Sequence, residues 1–181
     1  YFRSHVILSD DHGKTWRLGG MVENISGTES VVEELADGRL YLNTRCIQQH
    51  PCRVVAYSSD GGETWEDAHP DTALPDPECQ GSAIAYPKPH AGCERPLLFS
   101  NNPFPPTPPF GSGRHDLTVR MSLDGGRSWT HRLCIQERWT AYSDLTILPD
   151  GSIACMYECG ENDPYEQIAL KTFTIDELKK D

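Results

Sequence analysis

The sequence has little positive charge, with 16 Lys and Arg against 27 Asp and Glu and a formal net charge of −11 at pH 7. Proteins that bind nucleic acids or anionic membranes need clustered cations, so this balance argues against both kinds of partner. No apolar run approaches the ~18 residues of a membrane-spanning helix, and no glycine-rich phosphate loop is present. We therefore expect no nucleic-acid partner, no bound nucleotide and no membrane-spanning segment.

Paired Cys-x-x-Cys motifs are also missing, although the chain has seven cysteines. Neither their spacing nor the scattered histidines fit a tetrahedral zinc site, so we expect no metal and no other cofactor. Two interpretations of the thiols stay open: buried free cysteines, or one or two disulfides in an exported protein. The glycosylation sequon that starts at Asn24 weakly favours export.

What the sequence does contain is an internal repeat. The pattern Ser-x-Asp-x-Gly-x-(Thr/Ser)-Trp occurs three times, starting at Ser9, Ser58 and Ser122. The starts lie 49 and 64 residues apart, and periods near ~50 residues with short strands are typical of propeller blades. With 37% hydrophobic and 24% charged residues in 181 positions, the composition is that of one folded domain.

Each copy of the repeat has the residues of a tight hairpin turn. A strand-like segment leads into it, the Asp carboxylate can accept backbone N–H bonds, and the Gly supplies a positive φ. The Thr or Ser hydroxyl bonds locally, and we expect the Trp to pack against the protein as the next strand leaves. The acidic residues of the repeat are therefore interpreted as structural.

The rest of the chain predicts an all-β protein. Residues 101–113 hold five prolines and predict an irregular loop. One helix signal is present at the C-terminal end, where Thr174 and Glu177 have the spacing of a capping box. Further strands are predicted at Arg39–Asn43, Leu97–Ser100, Ile153–Tyr157 and Ile168–Phe173.

The repeat is the Asp-box repeat and resembles that of the sialidases, although other propellers carry it too. Three segments between the boxes make the resemblance more specific. Residues 29–45 (ESVVEELADGRLYLNTR) look like the sialidase block with a catalytic Glu and an active-site Arg. Residues 114–122 (RHDLTVRMS) look like the block with another active-site Arg, and residues 142–158, with YSDL, LPDG and MYE, look like the block with the nucleophilic Tyr. The resemblance covers nearly the whole chain and is to exo-sialidases of the bacterial and animal type.

The resemblance implies a fold and a place within it. Sialidases of this type form a six-bladed β-propeller with the active site at one mouth of the central channel. At roughly 50 residues per blade, this chain would cover about three to four blades. The family's N-terminal part carries an Arg-Ile-Pro motif and a catalytic Asp that acts as general acid, and neither block occurs here. We therefore expect residues 1–181 to be the C-terminal portion of a sialidase catalytic domain whose N-terminal blades are absent.

The same resemblance implies the site residues. Tyr142 is predicted to be the nucleophile, and Glu29 the base that removes and returns its proton. Arg45 and Arg114 are predicted to bind the sialic acid carboxylate, and Glu158 to steady the arginine of the missing part. Guanidinium groups bond carboxylate oxygens in a planar fork. A neutral phenol avoids repulsion by that anion, but it needs a base because free Tyr has a pKa near ~10.

A further segment is expected to shape the pocket. Asp76, Cys79 and Gln80 correspond to a stretch that lies near the active-site mouth in the family, so they are candidate pocket residues.

The implied function is an exo-α-sialidase that releases terminal sialic acids from glycoproteins, glycolipids or oligosaccharides with retention of configuration. Linkage preference stays open, and so does transfer in place of hydrolysis. The alternative is a catalytically incomplete propeller that binds sialic acid or a protein. We expect the isolated chain to be inactive, because one carboxylate ligand and the general acid are absent. A secreted, cell-surface or lysosomal location is expected rather than a cytosolic one.

Overall fold

The computed structural model describes residues 2–47, 49–106 and 113–180. It confirms the all-β prediction, because these ranges form strands and one turn of 3-10 helix at Ile175–Glu177, where the predicted capping box is present. The predicted irregular loop begins inside a strand, and residues 107–112 of it lie outside the described ranges. The strands are β1 (His5–Leu8), β2 (Arg17–Met21), β3 (Gly27–Glu34), β4 (Leu40–Cys46), β5 (Cys52–Ser58), β6 (Glu66–Pro75), β7 (Ser82–Ala85), β8 (Leu97–Asn101), β9 (His115–Ser122), β10 (His131–Ile147), β11 (Ile153–Cys159), β12 (Gln167–Phe173) and β13 (Lys179–Lys180).

The strands follow one another as antiparallel meanders in three sheets. β1 pairs with β2, β3 to β6 form a four-stranded sheet in chain order, and β7 to β12 form a longer sheet in chain order, with β13 beside β10. The N-terminal part of the 17-residue strand β10 pairs with β9, and its C-terminal part pairs with β11. β10 thus ends one four-stranded unit, β7 to β10, and starts a second unit that continues through β11 and β12. Four-stranded antiparallel units are the building blocks of propellers, and the six-blade count stays a prediction.

The three Asp boxes fold into the same turn. In the second box Asp60 Oδ1 accepts bonds from Ser58 Oγ at 2.8 Å and from Thr64 N at 3.0 Å, while Asp60 Oδ2 accepts one from Thr64 Oγ1 at 2.6 Å. Gly62 N closes the turn by donating to Ser58 Oγ at 2.8 Å. The first and third boxes repeat these four bonds. The geometry therefore agrees with a structural role for these aspartates.

The tryptophans of the boxes lie in three different environments. Trp129 is 9% exposed, its ring lies 6.0 Å from that of Phe99, and its Nε1 donates to Asp71 Oδ2 at 2.9 Å. Trp65 packs against a small buried cluster beside β4 and β5. Trp16 is 59% exposed and bonds within its own turn. The expectation that every box Trp packs into the protein is wrong for Trp16, because β1 and β2 form a two-stranded sheet with no described strand beside it to cover the ring.

Aromatic side chains join the neighbouring sheets. Tyr41 and Tyr57 of the four-stranded sheet are buried together with Phe99 of β8 and with Trp129. Gly126 of the third box has φ +87°, and a Cβ built there would lie 2.6 Å from a ring carbon of Tyr41. The third turn therefore docks directly on the adjoining sheet, which fixes the two sheets against each other.

The seven cysteines are free thiols. Cys93 is partly buried and Cys134 is exposed, and the buried ones are Cys46, Cys52, Cys79, Cys155 and Cys159. Of the two interpretations of the sequence, the structure agrees with free and mostly buried thiols.

Candidate active site

The predicted site residues come from two sheets. Glu29 lies on β3 and Arg45 on β4, whereas Tyr142 lies on β10 and Glu158 on β11. Arg114 immediately precedes β9. Tyr142 lies 113 residues from Glu29 and 97 from Arg45 along the chain, and it hydrogen-bonds with both. The packing of the two sheets therefore brings together side chains that are distant in sequence.

Tyr142, Glu29 and Arg45 form one connected cluster. The Tyr142 hydroxyl donates a hydrogen bond to Glu29 Oε1. Arg45 Nη1 donates to Glu29 Oε2 at 2.7 Å and to Tyr142 Oη at 3.3 Å. The side chain of Arg45 is 12% exposed and that of Glu29 is 35% exposed, so water screens this ion pair only in part.

Both Glu29 and Tyr142 stand at β-bulges. The register of β3 on β4 shifts so that residues 28 and 29 both face Arg45. The register of β10 on β11 shifts in the same way, so that residues 141 and 142 both face Glu158. A bulge frees a residue from the regular ladder and re-aims its side chain, and bulges are over-represented next to active sites. In both strands a β-bulge thus takes the candidate catalytic residue out of the regular alternation of side chains. Glu29 is the candidate base and Tyr142 is the candidate nucleophile.

Two side chains hold the backbone at the second bulge. Glu158 Oε2 accepts a bond from Tyr142 N at 3.1 Å, and Gln80 Oε1 accepts one from Ser143 N at 3.0 Å. These bonds satisfy backbone donors that the shifted ladder does not use. The sequence predicts that Glu158 steadies an arginine, whereas the contact in this structure is with the strand that carries Tyr142.

The surroundings shift the pKa values of the hydrogen-bonded pair Glu29 and Tyr142 in opposite directions. Burial alone would raise the pKa of Glu29, but the hydrogen bonds from Tyr142 and Arg45 outweigh it and hold that pKa below its ordinary value. Burial and the bond to Glu29 raise the pKa of Tyr142 to about 12. At neutral pH a neutral phenol therefore donates to an ionised carboxylate.

Arg114 lies beside the Tyr142 ring, with its Cζ 5.9 Å from the ring centroid. It is 5% exposed, its Nη2 donates to the backbone oxygen of Glu78 at 2.7 Å, and its Nη1 donates to Tyr165 Oη at 2.5 Å. Sequence reasoning missed Tyr165, because this residue lies in the connection after β11 and belongs to no recognised motif. Two guanidinium groups, of Arg45 and Arg114, therefore adjoin the same phenol.

A buried ion pair adjoins this cluster. Arg53 and Asp76 are almost fully buried, with 3.5 Å between Arg53 Nη1 and Asp76 Oδ2, and Nη1 also donates to the backbone oxygen of Cys79 at 2.7 Å. Burial raises the pKa of Asp76, and it raises that of the Cys79 thiol to about 12. Asp76 and Cys79 are thus core residues behind the site, whereas Gln80 reaches its surface. Sequence reasoning missed Arg53, since one arginine in a strand carries no motif.

A cavity of about 470 Å³ opens beside Tyr142. Gln80 and Glu158 contribute polar groups to its wall, and Met156 and Ile168 contribute apolar ones. A larger cleft of about 1020 Å³ lies against β9 and β10, and none of the predicted site residues is among those that line it in the described chain.

Within the described ranges, no cluster of His, Cys, Asp and Glu side chains could hold a metal ion. The same ranges contain no helix with the length and apolar character needed to cross a membrane.

This arrangement can hold an anion and move a proton. Arg45 and Arg114 concentrate positive charge in a chain whose net charge is −11, so the cluster is a favourable place for an anionic ligand. The bond between Tyr142 and Glu29 gives the phenolic proton a direct path to a carboxylate.

Known proteins resemble this chain over most of its length. The chain matches the BNR repeat-like domain over residues 1–155. It is 38% identical over 172 residues to a sialidase of Micromonospora viridifaciens, a match that covers 93% of this chain and 26% of that protein. Hadza microbial sialidase Hz136 superposes with a TM-score of 0.81 at 30% identity, over 98% of this chain and 33% of that one. The intramolecular trans-sialidase from Ruminococcus gnavus superposes with a TM-score of 0.77 at 27% identity, over 96% of this chain and 38% of that one.

The chain spans between 26% and 38% of the length of these three relatives. Its own length is nevertheless matched almost throughout, and the solved structures it resembles are sialidase propellers. The family match over most of the chain, together with three Asp boxes that share the same four hydrogen bonds, shows that this chain belongs to the Asp-box (BNR repeat-like) sialidase family.

Proposed function

We propose that this chain supplies part of the active site of an exo-α-sialidase, which releases terminal sialic acids from glycoproteins, glycolipids or oligosaccharides with retention of configuration. The contact of Tyr142 with Glu29 and Arg45 is the observation that carries the proposal. The names of the relatives, which are sialidases, support the same reaction class.

The first step uses the phenol as nucleophile. Sialic acid carries a carboxylate on the anomeric carbon, and the neutral hydroxyl of Tyr142 approaches that carbon without the repulsion that an ionised carboxylate would meet. Tyr142 Oη bonds to the anomeric carbon as the bond to the glycosidic oxygen breaks, the phenolic proton passes to Glu29, and the leaving oxygen takes a proton from a general acid, which we propose lies in the blades that precede this chain. A pKa of about 12 makes this neighbouring base necessary at neutral pH.

The second step reverses the first with water in place of the leaving group. Water attacks the anomeric carbon and gives a proton to the general acid of the first step, which now acts as a base, while the bond to Tyr142 breaks and Glu29 returns its proton to the phenolate. Two successive displacements at one carbon give net retention.

Arg45 and Arg114 are proposed to bind the substrate carboxylate. Both are permanently charged, and both adjoin the ring or the hydroxyl of Tyr142. A carboxylate held between them would bring the anomeric carbon that carries it close to the nucleophile.

The general acid and a third arginine are proposed to come from blades that precede this chain in a longer protein, of which residues 1–181 are the C-terminal portion of the catalytic domain. Large apolar side chains exposed at the two ends of the described fold support this arrangement. They are Ile7, Trp16, Leu18 and Met21 near β1 and β2, and Met156, Ile168 and Leu170 on β11 and β12. We expect residues 1–181 alone to be inactive. A secreted, cell-surface or lysosomal location remains a prediction.

The native gene product, assayed with a sialoside that carries a fluorescent leaving group, tests the proposal. We expect Tyr142→Phe to lower kcat by at least about 1,000-fold, because the nucleophile is lost. Tyr86→Phe is the matched control, since its hydroxyl bonds to the backbone oxygen of Gly151 at 2.9 Å, away from the cluster. Full activity of Tyr142→Phe would overturn the mechanism. An inactive native protein that still binds sialic acid would favour the alternative, an incomplete sialic-acid-binding propeller.

Transfer is the second candidate activity, and the likeness to an intramolecular trans-sialidase favours testing it. Mass spectrometry of the released sugar separates the two activities. Free sialic acid would support hydrolysis, whereas a product lighter by one water would support intramolecular transfer.

A further inference from the structure

We propose that Arg53 is a positioning residue that holds Glu29, the base of the proposed function, in place and in its ionised form from inside the protein. Arg53 lies on β5 and is 0% exposed. It is a charged group in the core that the proposed chemistry does not use, so its burial there needs an explanation.

The guanidinium of Arg53 connects three of the segments that surround the site. Its Nη2 donates to the backbone oxygen of Glu29 at 3.4 Å, on β3. Its Nε donates to Asn43 Oδ1 at 2.6 Å, on β4 and two residues before Arg45. Its Nη1 donates to the backbone oxygen of Cys79 at 2.7 Å, in the segment that continues to Gln80. The positions of the base and of the pocket wall are therefore fixed relative to one buried group.

Burial of this charge argues for a role beyond stability. A cation moved from water into a protein core loses hydration, and apolar residues of similar volume often replace buried ion pairs without loss of stability. Asp76 faces Arg53 at 3.5 Å and compensates the charge, and the Phe99 ring lies 5.5 Å from its Cζ. An apolar side chain could not supply the hydrogen bonds by which this one guanidinium holds three segments.

The charge of Arg53 also acts on Glu29. The titratable and charged groups that act on the Glu29 carboxylate are Tyr142 from β10 and Arg45 from β4, which bond to it directly, and Arg53 from β5, which bonds to the backbone oxygen of the same residue. Tyr142 is neutral, so Arg45 and Arg53 are the two cations that favour the ionised carboxylate. Removal of either positive charge should make Glu29 easier to protonate. Arg53 is fully buried, so its removal leaves both proposed ligands of the substrate carboxylate, Arg45 and Arg114, in place.

The test compares Arg53→Met with Arg53→Lys in the native gene product, with kcat, KM and the pH dependence of kcat/KM as readouts. For Arg53→Met we expect kcat to fall on the order of 10- to 100-fold, with KM little changed because Arg45 and Arg114 are intact. The acidic limb of kcat/KM should move to higher pH, because the carboxylate of Glu29 loses a nearby positive charge. Arg53→Lys should restore the acidic limb, because the charge is kept, and recover kcat only in part, because the fork is lost.

Tyr41→Phe is the control for destabilisation without loss of charge. Tyr41 is fully buried, and its hydroxyl accepts a bond from Asn43 Nδ2 at 2.8 Å, so this change damages the same buried network. It should lower Tm but leave the acidic limb in place. An Arg53→Met protein with an unchanged acidic limb would overturn the inference, and so would a loss of activity that matches its unfolded fraction. If Arg53→Met does not fold, Arg53→Lys and Tyr41→Phe remain as the test. Equal movement of the acidic limb in these two variants would overturn the inference as well.

This inference rests on the proposed function, and different results would contradict each of them. An inactive native protein would remove the proposed function. An active native protein whose Arg53 variants keep the native pH profile would remove this inference alone.

Discussion

The Asp-box turns and the Tyr142 cluster both depend on a carboxylate that accepts several hydrogen bonds, but they differ in where the donors come from. Asp60 takes its bonds from residues two and four positions away in the chain. Glu29 takes its bonds from Arg45 and Tyr142, which are 16 and 113 positions away. The turn is therefore complete within eight residues, whereas the cluster exists only when two sheets are packed together.

The two carboxylates also differ in what opposes their ionisation. The bonds from Thr64 lower the pKa of exposed Asp60 to about 2. For Glu29 burial acts in the opposite direction and is the largest single influence, but the hydrogen-bond donors and the neighbouring cations together lower its pKa. A turn aspartate is thus fixed as an anion, whereas a partly buried glutamate beside a phenol can gain and lose a proton. This difference separates a structural acid from a candidate catalytic base in one acidic protein.

The largest effect expected from this comparison is on the binding of substrate by Arg114, which lies beside the Tyr142 cluster. Arg114→Lys keeps the charge but loses the planar fork, so kcat/KM should fall on the order of 100-fold, mainly through KM. Steady-state kinetics of the native gene product measures this change. Arg39→Lys is the control, because Arg39 pairs with Asp37 in an exposed hairpin turn. Equal kinetics for the two variants would contradict the proposed role of Arg114.

A second effect should appear in stability and leave the chemistry intact. Gly126 and Gly38 have similar positive φ angles of +87° and +83°, but a Cβ would meet the Tyr41 ring at Gly126 and nothing within 4 Å at Gly38. We expect Gly126→Ala to lower the free energy of unfolding by about 2 to 4 kcal/mol and Gly38→Ala by about 1 kcal/mol. Urea unfolding measures the difference. Equal losses would show that the third turn does not dock on the core as described.

The same contrast explains what the sequence could predict. The Asp boxes were predictable in detail, because their donors and acceptors lie within one short pattern. Glu29, Arg45, Arg114 and Tyr142 were predictable only through a resemblance to known blocks, since nothing local marks them as neighbours in space. That resemblance named the residues and left their geometry open.

Other features could not be predicted from sequence patterns. Arg53 reads as an ordinary strand residue, and its importance depends on a fork of bonds to three separate segments. The two β-bulges also have no sequence signal, because a register shift depends on both paired strands. The error at Trp16 has the same origin, since a turn pattern specifies the bend and does not specify what covers the ring.

The smallest expected effect is the contribution of an Asp-box carboxylate to acid stability. The folded pKa of Asp60, about 2, lies below the ordinary value near 3.8. Its contribution to stability is therefore complete above the ordinary pKa and is lost as pH falls through the folded pKa. Between about pH 4 and pH 2, Tm of Asp60→Asn should fall less steeply than Tm of the unchanged chain. Asp10→Asn, which removes an exposed acid that takes no part in the four bonds of its turn, is the control and should follow the unchanged chain. Thermal melts at a series of pH values measure the slopes. Parallel slopes for all three proteins would mean that the turn bonds of Asp60 do not favour its ionised form. The distinction between Asp60 as a fixed anion and Glu29 as a glutamate that shares a proton would then lose its support.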